Sequence, residues 1–83
     1  DVALAEQALS TAHAALEAGR LRAALLVERA GLLDRAFRAG ESGLPELLRV
    51  RAAAAQAQQG VRRQLAMLGL ARARFNQSIG LLP

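Results

Sequence analysis

Apolar and small residues recur in both halves of the chain at alternating steps of three and four. This spacing is a heptad repeat, which places the residues on one face of an α-helix. In the first half the repeat comprises Val2, Ala5, Leu9, Ala12, Leu16, Gly19, Ala23, Leu26, Ala30, Leu33 and Phe37. In the second half it comprises Leu47, Val50, Ala54, Ala57, Val61, Gln64, Leu68, Ala71, Phe75, Ser78 and Leu82. The pattern therefore predicts two long amphipathic helices, and we call these two series the seam.

The stretch between the two series, Gly40-Glu41-Ser42-Gly43-Leu44-Pro45, is where helix-breaking residues cluster. Glycine enters the left-handed conformation without a Cβ clash, so Gly40 suits the end of a helix. Proline lacks an N–H and suits the first turn of a helix, so Pro45 fits the start of a second helix. Proline also disfavours helical geometry in the residue before it, which is Leu44. We predict a helix over about residues 1–39, a turn over 40–44 and a helix over about 45–79. The ending Gly80-Leu81-Leu82-Pro83 is typical of a helix stop.

The two seam series match each other when the chain folds back at this turn. Folding brings five pairs level: Phe37 with Leu47, Ala30 with Ala54, Ala23 with Val61, Leu16 with Leu68, and Leu9 with Phe75. Large residues lie opposite large ones, or alanine opposite alanine, in most of these pairs. The sequence therefore predicts an all-α fold, a long antiparallel helical hairpin that packs like a coiled coil.

Each predicted helix carries a further apolar stripe beside the seam. The N-terminal stripe consists of Leu4, Ala8, Thr11, Ala15, Ala18, Leu25, Leu32 and Ala36, and Arg22 and Arg29 interrupt it. The C-terminal stripe consists of Leu48, Ala52, Ala55, Ala66, Gly69 and Ala73. Two helices that pack along one seam cannot cover this extra surface, which exceeds what monomeric proteins usually expose. We therefore expect further helices to cover the stripes, from other copies or from other parts of a longer chain.

Gly19 and Gly31 lie inside the first helical pattern, each at a cost of about 1 kcal/mol relative to alanine. Two interpretations stay open for both residues. Either the glycines are tolerated sequence drift, or they permit a close helix approach or a local bend.

Composition narrows the function without defining it. The 83 residues contain no cysteine, so no disulfide framework or thiolate metal site is expected. His13 is the single histidine, and a metal site needs several converging ligands, so we expect His13 on the surface and no metal. Met67 is expected to fill a gap in helix packing. No nucleophile-and-base set or phosphate loop is present, so no enzyme and no cofactor are predicted.

The chain is mildly basic, with eleven arginines against seven acidic residues. A basic helix face is the footprint of a nucleic-acid binder, but acids are interspersed and aromatic residues for base stacking are few. The start of the chain lacks the basic and apolar regions of a signal peptide and has no initial methionine. We expect no nucleic-acid partner, and we expect the chain to be a piece of a longer protein.

Three segments resemble a known family. They are Phe37-Arg38-Ala39-Gly40-Glu41, then Leu44-Pro45-Glu46-Leu47-Leu48, then Ala73-Arg74-Phe75-Asn76-Gln77-Ser78-Ile79-Gly80-Leu81-Leu82-Pro83. Their order and spacing resemble the C-terminal helical repeat of the outer-membrane efflux proteins, the TolC-like channels. The sequences of these segments are most similar to those of the branch of the family that serves heavy-metal efflux pumps.

This resemblance implies a fold, partners and a location. Members of the family are homotrimers whose long helices form a periplasmic α-barrel, continuous with a β-barrel in the outer membrane. The segment here would be periplasmic, with membrane contact through parts of the chain that are not present. The partners implied are a periplasmic adaptor protein and an inner-membrane pump.

The resemblance also implies roles for particular residues. The turn, formed by Gly40, Glu41, Ser42, Gly43 and Leu44, matches the tip that docks the adaptor. Glu46 matches the first of two acidic positions that narrow the channel mouth. Arg49 occupies the second position, which is a departure from the family, and a basic residue one turn on can pair with Glu46.

Other interpretations of the same residues stay open. Glu46 equally fits a first-turn carboxylate that complements the helix dipole. Glycines are needed in any tight helical turn, so the turn alone does not specify docking. The alternative function is a stand-alone coiled-coil module that self-associates or captures partner helices, and an arginine-rich nucleic-acid binder is a third option.

Overall fold

The computed structural model describes residues 1–80 and consists of two α-helices. Helix α1 spans Val2–Arg38 and helix α2 spans Leu44–Gly80. They pack as a hairpin that is 67 Å long and 13 by 12 Å across. No strand occurs in this part of the chain, so the predicted all-α helical hairpin is confirmed. The predicted helix stop begins at Gly80, but Gly80 still belongs to α2. The rest of the predicted stop, Leu81-Leu82-Pro83, and with it the seam position Leu82, lies outside the described residues.

The helix ends are built from local hydrogen bonds. The carboxylate of Asp1 caps α1, because its Oδ1 accepts from the backbone N–H groups of Ala3 and Leu4 at 2.7 and 3.2 Å. Helix α2 begins at Leu44, one residue earlier than the sequence predicts. The Gly43 carbonyl already accepts from the Leu47 N–H at 3.4 Å, so the first helical turn includes Leu44. Pro45 falls in that turn, where its missing N–H leaves no bond unmade.

The predicted seam is the core of the hairpin. Its buried members are Leu16, Ala23, Leu47, Val50, Ala54, Leu68 and Ala71. The other described seam positions are half-buried, except Phe37, whose side chain is 38% exposed. The prediction was wrong for Phe37 because the residue lies in the last turn of α1. The chain leaves the helix there, and no element beyond it covers the ring.

Cross-helix contacts establish the register that the seam pairs predict. Ala23 and Val61 border the same surface depression, as residues that lie level must. The Gln64 side chain packs directly against Gly19, since a Cβ placed on Gly19 would lie 2.9 Å from the Gln64 Cδ. A Cβ on Gly31 would meet nothing within 4 Å. Of the two interpretations left open for the glycines, close approach therefore applies to Gly19 and not to Gly31.

Gln64 is a polar residue in the seam, and its packing leaves one atom unsatisfied. The Gln64 Oε1 is buried and has no hydrogen-bond partner among the described residues. A buried acceptor without a donor costs about 1–3 kcal/mol. This layer, near the middle of both helices, is therefore a weak point in an otherwise apolar core.

We expect that Gln64→Met stabilises the hairpin by about 1–2 kcal/mol, because methionine keeps the length of the side chain and removes the unsatisfied acceptor. Chemical denaturation followed by circular dichroism measures the change. The control is Gln58→Met, at an exposed position of the same helix, which should shift the free energy of unfolding by less than about 0.5 kcal/mol. A loss of stability in Gln64→Met would contradict the assignment of this layer as a weak point.

Both stripes lie outside the hairpin core. Every residue of the C-terminal stripe is exposed, and so is every residue of the N-terminal stripe except Ala36, which is half-buried. Leu4, Leu25, Leu32 and Leu48 each expose more than half of their surface. The hairpin thus leaves uncovered the surface that the sequence analysis expects a further helix to cover.

Candidate functional site at the hairpin tip

The turn between the helices is closed by backbone hydrogen bonds. The Gly40 N–H donates to the Phe37 carbonyl at 3.0 Å, and the Glu41 N–H donates to the Ala36 carbonyl at 2.8 Å. Gly40 has a φ of +76°, the left-handed conformation that this closure requires and that glycine adopts without strain. These bonds tie the start of the turn to the end of α1, and their geometry depends on Gly40.

The five residues predicted to dock a partner form a small, mostly exposed tip. Gly40, Glu41, Gly43 and Leu44 are exposed, whereas Ser42 is half-buried. The tip therefore offers one carboxylate, one leucine side chain and several backbone groups to a partner. Its small size suits a contact with another turn or loop.

Glu46 lies in the first turn of α2 and contacts two arginines. Its Oε2 lies 3.7 Å from the Arg49 Nη1, which is the pairing one turn along the helix that the sequence suggests. Its Oε1 lies 3.8 Å from the Arg29 Nη2, across the hairpin. The two positive charges outnumber the one carboxylate, so this cluster does not present an acidic surface.

Asp34 forms a second charged cluster that joins the helices above the turn. Its Oδ1 accepts a hydrogen bond from the Arg51 Nη2 at 2.7 Å, and its Oδ2 lies 3.1 Å from the Arg38 Nε. Hydrogen bonds between charged groups are stronger than neutral ones, and the Asp34 side chain is only one-quarter exposed. This cluster holds α1 and α2 together close to the tip.

The sequence analysis did not identify Arg29, Asp34 or Arg51 as partners across the hairpin. A signal for one contact was available, because the predicted register places Asp34 within one residue of level with Arg51. Arg29 and Glu46 are offset along the hairpin, and only their extended side chains bring the charges together. Spacing in the sequence gives no sign of such a contact.

Residues considered for other chemistry lie away from the tip. His13 is exposed, and no group of three potential metal-ligating side chains occurs within residues 1–80. Met67 is 61% exposed, so the prediction that it fills a packing gap was wrong for the hairpin. It lies instead on the surface, in an apolar groove with Ala8, Ala15 and Leu70.

Neither described helix has a stretch long and apolar enough to cross a membrane. A comparison of the chain with models of known families, with curated proteins and with solved structures gives no match.

Proposed function

We propose that this chain is part of the wall of a periplasmic α-barrel, the channel of a tripartite efflux system that conducts exported substrates across the outer membrane. The observation that carries the proposal is the pair of exposed apolar stripes on a hairpin whose seam is already filled. Such a hairpin is a building unit for a larger helical assembly. A second support is the resemblance of the motifs at the turn and at the C-terminal end to those of outer-membrane efflux proteins.

The positions of the two stripes favour a ring of hairpins. At about 100° per residue, the N-terminal stripe lies on a flank of α1, roughly 110° from the seam. The C-terminal stripe lies on the back of α2, roughly 150° from its seam. If the N-terminal stripe of one copy packs against the C-terminal stripe of the next, the interface is head-to-tail. Such interfaces form a closed ring when the rotation between neighbouring copies divides a full turn evenly. A homotrimer is the closed ring that the family likeness implies.

The wall conducts substrates passively in this proposal. Packed helices enclose the conduit, and a small sliding of one hairpin against its neighbours opens or narrows it. Glu46 and Arg49 lie near the mouth, where the pairing of Glu46 with two arginines removes the acidic constriction that the family likeness implies. The chain itself needs no cofactor for this role.

The tip docks a periplasmic adaptor, which connects the channel to an inner-membrane pump. Support comes from the exposed Glu41 and Leu44 on a turn whose first residues, Gly40 and Glu41, donate backbone hydrogen bonds to the end of α1. Backbone that is already ordered loses little conformational entropy when a partner binds, which favours docking at a small surface. The exposed residues at the tip are thus the ones that contact the adaptor.

Cross-linking tests the docking. We expect a cysteine at Glu41 to form cross-links with a candidate adaptor when both proteins are present in the cell envelope. The control is a cysteine at Gln58, which is exposed on α2 but lies well away from the tip. These 83 residues contain no other cysteine, so no second cross-linking position lies in the hairpin. Equal yields at the two positions, or no adaptor cross-link at Glu41, would contradict docking at the tip.

A stand-alone coiled-coil module is the second candidate, because the exposed stripes by themselves require only another helix. The flanking sequence separates the two functions. An efflux channel needs a signal peptide, a second helical repeat and β-strand segments with alternating polarity. A nucleic-acid binder would instead show association with DNA that weakens steeply as salt is added.

A further inference from the structure

A polar depression lies between the helices, about halfway along the hairpin. Its volume is about 320 Å³, and its lining includes Gly19, Arg22, Gln56, Gly60, Arg63 and Gln64. Both helices contribute, so the depression exists only when the hairpin has formed. It is separate from the tip and from the two charged clusters near it.

The two arginines of the depression come from opposite helices and lack counter-ions. Neither Arg22 nor Arg63 has a carboxylate within 4.0 Å in the described part of the chain. Within residues 1–80, five of the eleven arginines have one and six have none, so Arg22 and Arg63 are distinguished by their position on opposite helices around one depression. Two unpaired cations that border one concave surface create a positive potential there. Planar guanidinium groups match the geometry of carboxylate and phosphate oxygens.

The Gln64 amide adds a hydrogen-bond donor. Its Oε1 is buried against Gly19, and its NH₂ group makes no hydrogen bond among residues 1–80. Gln64 lines the depression, and an NH₂ group without a partner is a donor that an anion can use. An anion is bound by hydrogen-bond donors that have no acceptor within the protein.

Gly60 borders the depression on the α2 side. A Cβ placed on Gly60 would lie 3.7 Å from the Arg63 Nη2, an ordinary contact distance, so the guanidinium lies over this position. The Arg63 side chain therefore extends along α2 at the edge of the depression.

We propose that the depression binds a free oxyanion, such as phosphate or a small carboxylate, between Arg22 and Arg63 with the Gln64 NH₂ group as a third donor. The proposal does not depend on the channel function.

Nuclear magnetic resonance of the full chain tests the site, with inorganic phosphate as the probe and chloride at the same ionic strength as the reference. We expect saturable shifts of the Gly19 and Gly60 amide signals with phosphate and none with chloride. Arg22→Gln and Arg63→Gln should each weaken binding by about tenfold, the equivalent of one charge-assisted hydrogen bond. Arg62→Gln is the matched control, because Arg62 is the adjacent exposed arginine and borders a different depression.

The circular dichroism spectra of the three variants show whether each remains helical, so a lost signal is not confused with unfolding. Equal shifts with phosphate and chloride would overturn the proposal. So would variants at Arg22 and Arg63 that bind phosphate as well as Arg62→Gln does. Neither outcome bears on the channel function, which the adaptor cross-link tests.

Discussion

Replacing Leu47 with alanine is expected to unfold the hairpin or to destabilise it by about 2–5 kcal/mol, whereas the same change at Leu48 costs less than about 1 kcal/mol. Leu47 is 1% exposed and is the largest fully buried side chain, while its neighbour Leu48 is 53% exposed. Truncation of a buried leucine removes its transfer free energy and leaves a cavity. A thin two-helix core has few other contacts to compensate for that loss.

Thermal unfolding followed by circular dichroism measures both variants, at a concentration at which the chain is monomeric, so that the exposed Leu48 does not lie in an interface between copies. They lie on the same helix and carry the same change in composition, so helix propensity cancels between them. Leu47 belongs to the seam and Leu48 to the C-terminal stripe. Equal melting temperatures would mean that the seam is not the core of the protein in solution, and the hairpin packing would be wrong.

The second large effect concerns the exposed stripes. We expect the chain to self-associate, and we expect the double variant Leu25→Gln with Leu32→Gln to lose this association. Both leucines lie on the N-terminal stripe and expose more than half of their surface in the hairpin. Burial of a leucine side chain contributes about 1.5–3 kcal/mol, so two polar replacements should raise the dissociation constant by at least about 100-fold.

Sedimentation equilibrium over a range of concentrations measures the association. The matched control is Ala14→Gln with Ala24→Gln, two exposed positions of α1 outside the stripe, which should associate like the unmodified chain. A particle of three copies supports the homotrimer, and one of two copies contradicts it. A chain that stays monomeric at all concentrations would remove the main support for the channel.

The fold was largely predictable because its signals are periodic and local. Heptad spacing identified the seam, and matching the two series identified the register that brings Ala23 level with Val61. Gly40 and Pro45 marked the turn through their own backbone chemistry. The start of α2 was less predictable: the constraint from Pro45 suggested residue 45, but the hydrogen bond to the Gly43 carbonyl brings Leu44 into the helix.

The candidate site was predictable in part. The pair of Glu46 and Arg49 follows from positions one turn apart on the same helix. Arg29 and Glu46 are not level along the hairpin, and their contact depends on two long side chains that extend toward each other. The sequence could not distinguish Gly19 from Gly31 either, because each glycine lowers helix stability by the same amount relative to alanine.

The amino-acid sequence by itself determined that this protein forms two long helices, where they turn, which faces meet, and that apolar surface is left over. These properties depend on side-chain period and on the backbone freedom of single residues, both of which are local. Only the tertiary structure decided that the Gln64 side chain packs against Gly19, that Asp34 joins the helices, and that Arg22 and Arg63 border one depression. Those contacts depend on the relative position of two helices in space, which no local pattern specifies.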